Sequence, residues 1–275
     1  LIQLAPIQLK NGEFTDLAEE LLVIAPTEEA KEKPHRKAPH FWNTERFLAW
    51  LEKPQNDNVT LSELGHNGPV AESRMHVQID AATGTALDGA LFQTSGLEFT
   101  QLQKEKDEIY PALSRAKTLG LAIQTDADLR EELGFLGGER RVAHWQETNI
   151  KLPECPAEVK KALLEQKSCR LILLTPAYFE NGYLPEWLKE EYGAEVVAVA
   201  LPRYQVVSGW DYKENENKPT RRLAPAGSVY FLKIGKDAEK FVKDIWMHNI
   251  SDNEQDRLDG FGLAALGTWS NGGEA

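Results

Sequence analysis

The spacing of apolar and polar positions predicts most elements in the second half of the chain. Residues 238–246 are the clearest case, because their apolar side chains fall on one face of a helix. Those side chains, at positions i, i+3, i+4, i+7 and i+8, are Ala238, Phe241, Val242, Ile245 and Trp246. Residues 156–166 predict a second helix with a proline in its first turn, and residues 185–192 predict a shorter one.

Runs of apolar and β-branched residues predict the strands that accompany these helices. The predicted strands are residues 141–146, 170–174, 195–207, 227–234 and 263–269. With one extra strand allowed, the order of elements is βαββαβ, which is the ferredoxin-like arrangement of an antiparallel sheet with helices on one face. RRM domains share this fold, but the fold does not itself specify RNA binding.

The first half gives weaker patterns. Thr44 is predicted to cap a helix that runs to about Glu52, and residues 74–80 and 91–92 are predicted to form strands.

In the second half, the stretch 211–222 is rich in Lys, Glu and Asn and predicts an exposed, mobile loop, in which Arg221 and Arg222 serve solubility.

Composition narrows the class of protein. A length of 275 residues predicts about two domains, and no apolar run approaches the length of a membrane span. The two cysteines show no zinc spacing, so we expect a reduced, cytoplasmic protein with no metal and no cofactor. A net charge of −12 argues against broad coating of nucleic acid, so any RNA site must be local.

Two glycine-rich segments carry the candidate chemistry: GFLGGERR at residues 134–141 and DGFGLAALG at residues 259–267. Neither fits a dinucleotide-binding or P-loop motif. The adjacent arginines of the first segment, together with backbone N–H groups in a turn, suit a phosphate, which favours RNA or a nucleotide. The alternative is that both are tight turns before strands, with Glu139 pairing to a neighbouring arginine.

Further motifs give these segments a context. ESRMHVQID at residues 72–80, TGTA at 83–86, GALF at 89–92, LAPAGSVYF at 223–231 and GFGL at 260–263 occur along the chain together with GFLGGERR. In this order they resemble subunit three of the CRISPR type III-B Cmr complex, a RAMP protein of antiviral defence.

The resemblance implies an α+β protein of two ferredoxin-like (RRM-like) βαββαβ RAMP domains with loop insertions. We place the first at residues 1–135, with part of it expected before residue 1, and the second at residues 136–275. The implied role is noncatalytic: to hold the 5′ repeat-derived tag of the guide RNA at the base of a ribonucleoprotein effector complex. The implied partners are that RNA, the large cyclase-bearing subunit and a backbone RAMP subunit.

Candidate RNA-binding residues follow from the resemblance and the local chemistry. Gly260, Phe261 and Gly262 look like the RAMP loop between the last helix and the last strand, where backbone approaches RNA closely. Arg140 and Arg141, beside Gly137 and Gly138, are the best side-chain candidates for phosphates or splayed bases. Arg74 and His76 lie on one face of a predicted strand and add a weaker candidate patch, which a salt bridge and a satisfied histidine explain equally well.

Two alternatives stay open. The first is a metal-independent RAMP-family endoribonuclease that processes repeat RNA, for which His76 is the only histidine with an argument as general base or acid. The second is a protein scaffold with Trp187 or Trp210 at a subunit interface, although core packing explains both tryptophans. We expect no catalytic residues.

Overall fold

The computed structural model describes residues 3–8, 21–27, 38–54, 58–101, 109, 116–138, 140–211 and 213–269. These residues belong to two compact units. The first unit is drawn from residues 1–38, 43–64 and 152–275, and the second from residues 39–42 and 65–151. The domain division predicted after residue 135 stays a prediction, and the predicted pairing of Glu139 lies outside the described residues.

The described part of the chain contains both helices and antiparallel strands. The helices are α1 Thr44–Glu52, α2 Leu61–Leu64, α3 Ala157–Gln166, α4 Trp187–Tyr192, α5 Ala238–Ile245 and α6 Glu254–Leu258. The strands up to residue 151 are β1 Leu4–Ile7, β2 Val23–Pro26, β3 Phe41–Trp42, β4 Gly65–His66, β5 Val70–Ile79, β6 Ala86–Glu98, β7 Thr100–Gln101, β8 Lys117–Thr118, β9 Leu133–Phe135 and β10 Val142–His144. Those that follow are β11 Ser168–Leu173, β12 Glu195–Ala200, β13 Gln205–Val207, β14 Trp210–Asp211, β15 Glu216–Asn217, β16 Arg221–Leu223, β17 Val229–Lys233 and β18 Ala264–Thr268. The predicted mixture of helices with antiparallel strands is confirmed.

A four-stranded antiparallel sheet is the centre of the first unit. Its strands lie in the order β12, β17, β11, β18, so the first strand along the chain pairs with the third and the fourth. All six residues of β11 are buried, as expected for a central strand that is covered on both faces. The predicted strand at residues 170–174 is therefore confirmed, although it begins two residues earlier and ends one residue earlier.

Helices α1, α3 and α5 contribute the side chains that pack with this sheet. Phe241, Val242 and Ile245 of α5 are buried in the main core, which confirms the helical face predicted from their spacing. Leu51 of α1 and Leu163 of α3 join the same core. A smaller cluster around Phe231 and Trp269 packs with Leu22 and Ile24.

Two predictions for local structure were wrong in part. The strand predicted at residues 141–146 forms as β10, but it pairs with β9 in the second unit, and the first strand of the four-stranded sheet is β11. The described residues of the stretch 211–222 are mostly exposed, as predicted, but they include strands: β13 pairs with β16 and β14 pairs with β15 in one hairpin arm. Charged residues form strands there since both faces of a two-stranded ribbon can meet water.

The end of α1 depends on a buried arginine. The carbonyl of Trp50 would accept a hydrogen bond from residue 54, but Pro54 has no N–H. Arg170 of β11 replaces that donor: its Nη2 lies 2.9 Å from the Trp50 oxygen, and its Nε lies 2.9 Å from the carbonyl oxygen of Thr268. The guanidinium also stacks 4.0 Å from the centroid of the Trp50 ring.

The start of α1 differs from the prediction. The helix begins at Thr44, but Asn43 is the N-cap residue and Thr44 lies inside the first turn. The Asn43 side chain does not cap the helix, because its amide donates to the carbonyl of Glu63 at 2.7 Å.

The second unit is built from two-stranded pairs, of which β5 and β6 form the longest. Their register pairs Arg74 with Thr94 and His76 with Phe92, with an irregularity between Val77 and Ile79. At the turn, the Asp80 carboxylate accepts a hydrogen bond from the N–H of Ala82 at 2.7 Å. The predicted strand at residues 74–80 is confirmed and extends further towards its N-terminus.

We expect Arg170→Met to lower the free energy of unfolding by about 2 kcal/mol, because buried carbonyls lose their donor and each costs roughly 1–3 kcal/mol. Urea denaturation followed by tryptophan fluorescence measures the change. Arg203→Met, at an exposed arginine of the same unit, is the control and should change stability by less than about 0.5 kcal/mol. Equal stabilities for the two variants would contradict this account of Arg170.

Candidate nucleic-acid interface

The first glycine-rich segment forms the hairpin turn between β9 and β10. The N–H of Leu136 donates to the carbonyl of Arg141 at 2.9 Å, which closes the turn. Gly137 has φ 79°, a backbone conformation that favours glycine, and Arg140 has φ 50°. A Cβ built at Gly137 or Gly138 would meet nothing within 4 Å, so both glycines border open space. The predicted tight turn is confirmed, and its role in RNA binding stays a prediction.

The two arginines of this segment have different surroundings. Arg140 is exposed, whereas Arg141 is half-buried and its Nη2 donates to the carbonyl of Ser95 at 3.2 Å. The Arg141 guanidinium also lies against Gly96, where a side-chain Cβ would collide with it. Arg141 is therefore positioned on the β5–β6 hairpin, and this hydrogen bond uses one of the five N–H donors of a guanidinium.

Arg74 and His76 share the face of that hairpin on which Arg141 lies. Gly96 is paired directly with Glu72, so residues 72, 74 and 76 point to the same side as Gly96. The structure thus gathers Arg74, His76 and Arg141, which the sequence placed in two separate motifs.

Each member of this face already has a local partner. Arg74 makes a bidentate ion pair with Glu72, with Nε–Oε1 and Nη2–Oε2 distances of 2.9 and 3.0 Å. The pair neutralises much of the charge that Arg74 would offer a phosphate. His76 Nε2 lies 2.9 Å from the Thr94 hydroxyl, and its ring stacks on Phe92 with a centroid distance of 5.3 Å.

The second glycine-rich segment belongs to the first unit, and internal hydrogen bonds engage the backbone of its residues 260–262. The N–H groups of Gly260, Phe261 and Gly262 donate to the carbonyls of Arg257, Asp256 and Pro176 at 3.1, 2.9 and 2.8 Å. The carbonyls of the same three residues accept from the Thr175 hydroxyl, the Ser251 hydroxyl and the Ile250 N–H at 2.8, 3.0 and 3.0 Å. Gly262 has φ 91°, and a Cβ there would lie 2.7 Å from the Ser251 nitrogen. The backbone N–H groups of this loop are thus engaged within the fold.

An ion pair missed by the sequence analysis ties this loop to the β13–β16 hairpin. The Asp256 side chain is fully buried, and it pairs with Arg221, whose side chain is 28% exposed. The Arg221 guanidinium lies 5.9 Å from the ring centroid of Tyr178 and 5.7 Å from that of Phe261. The pattern of Asn253 with Asp256 three residues later was the available signal, since the Asn253 side chain caps α6 by accepting from the Asp256 N–H. Nothing local marks Arg221 as its partner.

The described residues hold no metal-binding cluster, and both cysteine thiols are partly or fully buried. Among these residues, no three His, Cys, Asp or Glu side chains are grouped closely enough to hold a metal ion. Burial raises the pKa of the Cys155 thiol to about 11, and raises that of the fully buried Cys169 still further. None of the described helices combines the length and apolar character needed to cross a bilayer.

We expect Asp256→Asn to lower the free energy of unfolding by about 2 kcal/mol, because a half-buried Arg221 loses its carboxylate. Amide hydrogen exchange at Phe261 and Gly262 should accelerate as the loop loosens. Asp259→Asn makes the same charge change at an exposed residue of the same segment and should have little effect. Similar behaviour of the two variants would show that the buried ion pair does not hold the loop.

Thiol alkylation tests the chemistry of the cysteines. At pH 8 a pKa of about 11 leaves roughly one Cys155 in a thousand as thiolate, so iodoacetamide should modify the native protein slowly. Both cysteines should react readily in urea, as intact-mass spectrometry would show. Rapid modification of the folded chain would contradict the burial of these thiols.

Comparison with known families identifies the chain. A family model described as CRISPR-associated protein (Cas_Cmr3) matches residues 2–269. The match includes both glycine-rich segments and the motifs of residues 72–92, so the resemblance found in the sequence is confirmed. No curated protein sequence matches the chain. On this match the chain belongs to the Cmr3 family and is a subunit of a type III-B CRISPR complex.

Proposed function

We propose that this chain is a noncatalytic RNA-binding subunit that holds the 5′ repeat-derived tag of the guide RNA at the base of the effector complex. The observation that carries the proposal is the grouping of Arg141, Arg74 and His76 on one face of the β5–β6 hairpin, beside a turn with an exposed Arg140. Family membership supplies the complex in which that face would act.

The chemistry of this face suits single-stranded RNA. Arginines at an open turn can bind phosphates, and the stacked pair of His76 and Phe92 offers flat surfaces to a splayed base. The contact is local, as a chain with a net charge of −12 requires. Because Arg74 is paired with Glu72, Arg140 and Arg141 would supply most of the positive charge.

The proposed fold is two ferredoxin-like RAMP domains. Support comes from the first unit, where α4 lies between β11 and β12 and α5 and α6 lie between β17 and β18, which gives the order βαββαβ with the β13–β16 arm as an insertion. These four strands lie in the sheet order second, third, first, fourth. In this fold the loop at Gly260, Phe261 and Gly262 precedes the last strand and lies beside the ends of the sheet strands. Its internal hydrogen bonds disfavour donation by its N–H groups, so we expect RNA to contact this loop through its shape.

The proposed neighbours are the large cyclase-bearing subunit and a backbone RAMP subunit, in the cytoplasm. The opposite face of the β5–β6 hairpin supports contact with protein, because it exposes Met75, Val77, Leu91 and Leu97. Exposed apolar groups of this extent mark interaction surfaces in soluble assemblies.

The absence of catalysis is also a proposal. His76 is hydrogen-bonded to the Thr94 hydroxyl and stacked on the Phe92 ring. Cleavage at a ribose 2′-OH would need a general base and, at the leaving oxygen, a second proton-transfer group. Incubation of the full chain with repeat RNA tests the nuclease alternative, and specific cleavage that is lost in His76→Ala would favour it.

Purification of the complex from cells that carry the CRISPR array tests the function directly. RNA bound to the complex should share one repeat-derived 5′ end, and that end should be lost when this subunit is deleted. Random RNA, or unchanged 5′ ends without the subunit, would contradict a tag-holding role.

Replacement of Arg140 and Arg141 by alanine should weaken tag binding while the protein stays folded. Loss of two phosphate contacts to a single strand should lower the slope of log affinity against log salt by about 1.4. Fluorescence anisotropy at several salt concentrations measures both quantities. Arg130→Ala with Lys151→Ala removes the same charge from exposed positions of the same unit and is the matched control. An unchanged slope in the first variant would remove this turn from the site.

A further inference from the structure

The β13–β16 hairpin presents two neighbouring arginines to opposite sides. Its register pairs Val207 with Arg221 and Val206 with Arg222. Because side chains alternate along a strand, Arg221 points to the face that meets the glycine loop, and Arg222 points to the other face. The first arginine is engaged by Asp256, so the hairpin is fixed to the fold on that side.

The outer face carries an arginine stacked on an exposed aromatic ring. The Arg222 guanidinium lies 5.1 Å from the ring centroid of Tyr204, and Tyr204 is 49% exposed. Val206, the cross-strand partner of Arg222 on the same face, is 55% exposed. A cation over one side of a ring holds the ring in place and leaves an amphipathic flat surface in contact with water.

The charge of this hairpin differs from that of the whole chain. Within residues 201–224 the basic side chains are Arg203, Lys213, Lys218, Arg221 and Arg222, and the acidic ones are Asp211, Glu214 and Glu216. Arg221 is engaged by Asp256, and the remaining four basic and three acidic side chains leave the arm slightly positive on a chain of net charge −12, which favours contact with a polyanion. Trp210, further along the same arm, is a second exposed aromatic side chain.

We propose that Tyr204 and Arg222 form a stacking platform for an unpaired base of the guide RNA, with the arm following the RNA backbone. This inference rests on the proposed function and adds a second contact region, on the first unit. Aromatic rings combined with arginine bind single strands without reading sequence, because every base has a π-face. A duplex offers no unstacked base, so the platform should discriminate against double-stranded RNA.

The probe is a fluorescein-labelled single-stranded RNA oligonucleotide that carries the repeat-derived tag, titrated with the full-length chain. We expect Tyr204→Ala to weaken binding about tenfold, whereas Tyr204→Phe, which keeps the ring, should stay within about twofold of the parent. Lys213→Ala removes one charge from the end of the same arm, where its side chain is 90% exposed, and controls for electrostatics alone. Circular dichroism checks that each variant is folded.

The possible outcomes distinguish failure of the stacking platform from failure of the proposed function on which it rests. Failure of the unaltered chain to bind the probe would overturn the proposed function, and the inference with it. Binding by the unaltered chain with equal affinity for Tyr204→Ala would overturn the platform alone. If Tyr204→Ala keeps its RNA affinity but no longer copurifies with a neighbouring subunit, the face is a protein interface and the inference is wrong.

Discussion

Burial of the Arg170 guanidinium is the constraint on which the first unit depends. Desolvation lowers its pKa to about 10, so the group still carries its charge at neutral pH inside an apolar core. Hydrogen bonds to the carbonyl oxygens of Trp50 and Thr268 and the cation–π contact with the Trp50 ring compensate that charge. Arg170 thus links β11 to the end of α1 and to β18, which are three distant parts of the chain.

Local periodicity explains how far the sequence predicts this fold. Helix α5 and strand β11 were predicted because their apolar spacing is set by the element itself. Strand β10 was predicted as an element but assigned to the wrong sheet, since strand patterns do not identify pairing partners. The short strands within 211–222 were missed because their pairing is with β13 and β14, and charged composition does not reveal such a partner.

The candidate site shows the same limit at the level of side chains. The turn at Gly137 is encoded locally, and its glycine signal was recognised. The contact of Arg141 with Gly96 depends on two hairpins meeting, and no short motif contains both residues. Asp256 and Arg221 are likewise 35 positions apart, so their ion pair emerges only when the hairpin folds onto the loop. The sequence does not reveal which of the 43 acidic side chains is buried.

The adjacent arginines of β16 would allow two registers of this strand with β13, and Leu223 determines which one forms. If β16 slipped by one position, Arg222 would turn towards Asp256 and satisfy the same carboxylate, so electrostatics alone tolerates both alignments. Slippage also moves every side chain to the opposite face. Leu223, which is 1% exposed, would then leave the core for water. An apolar side chain thus determines which arginine is anchored and which one faces solvent.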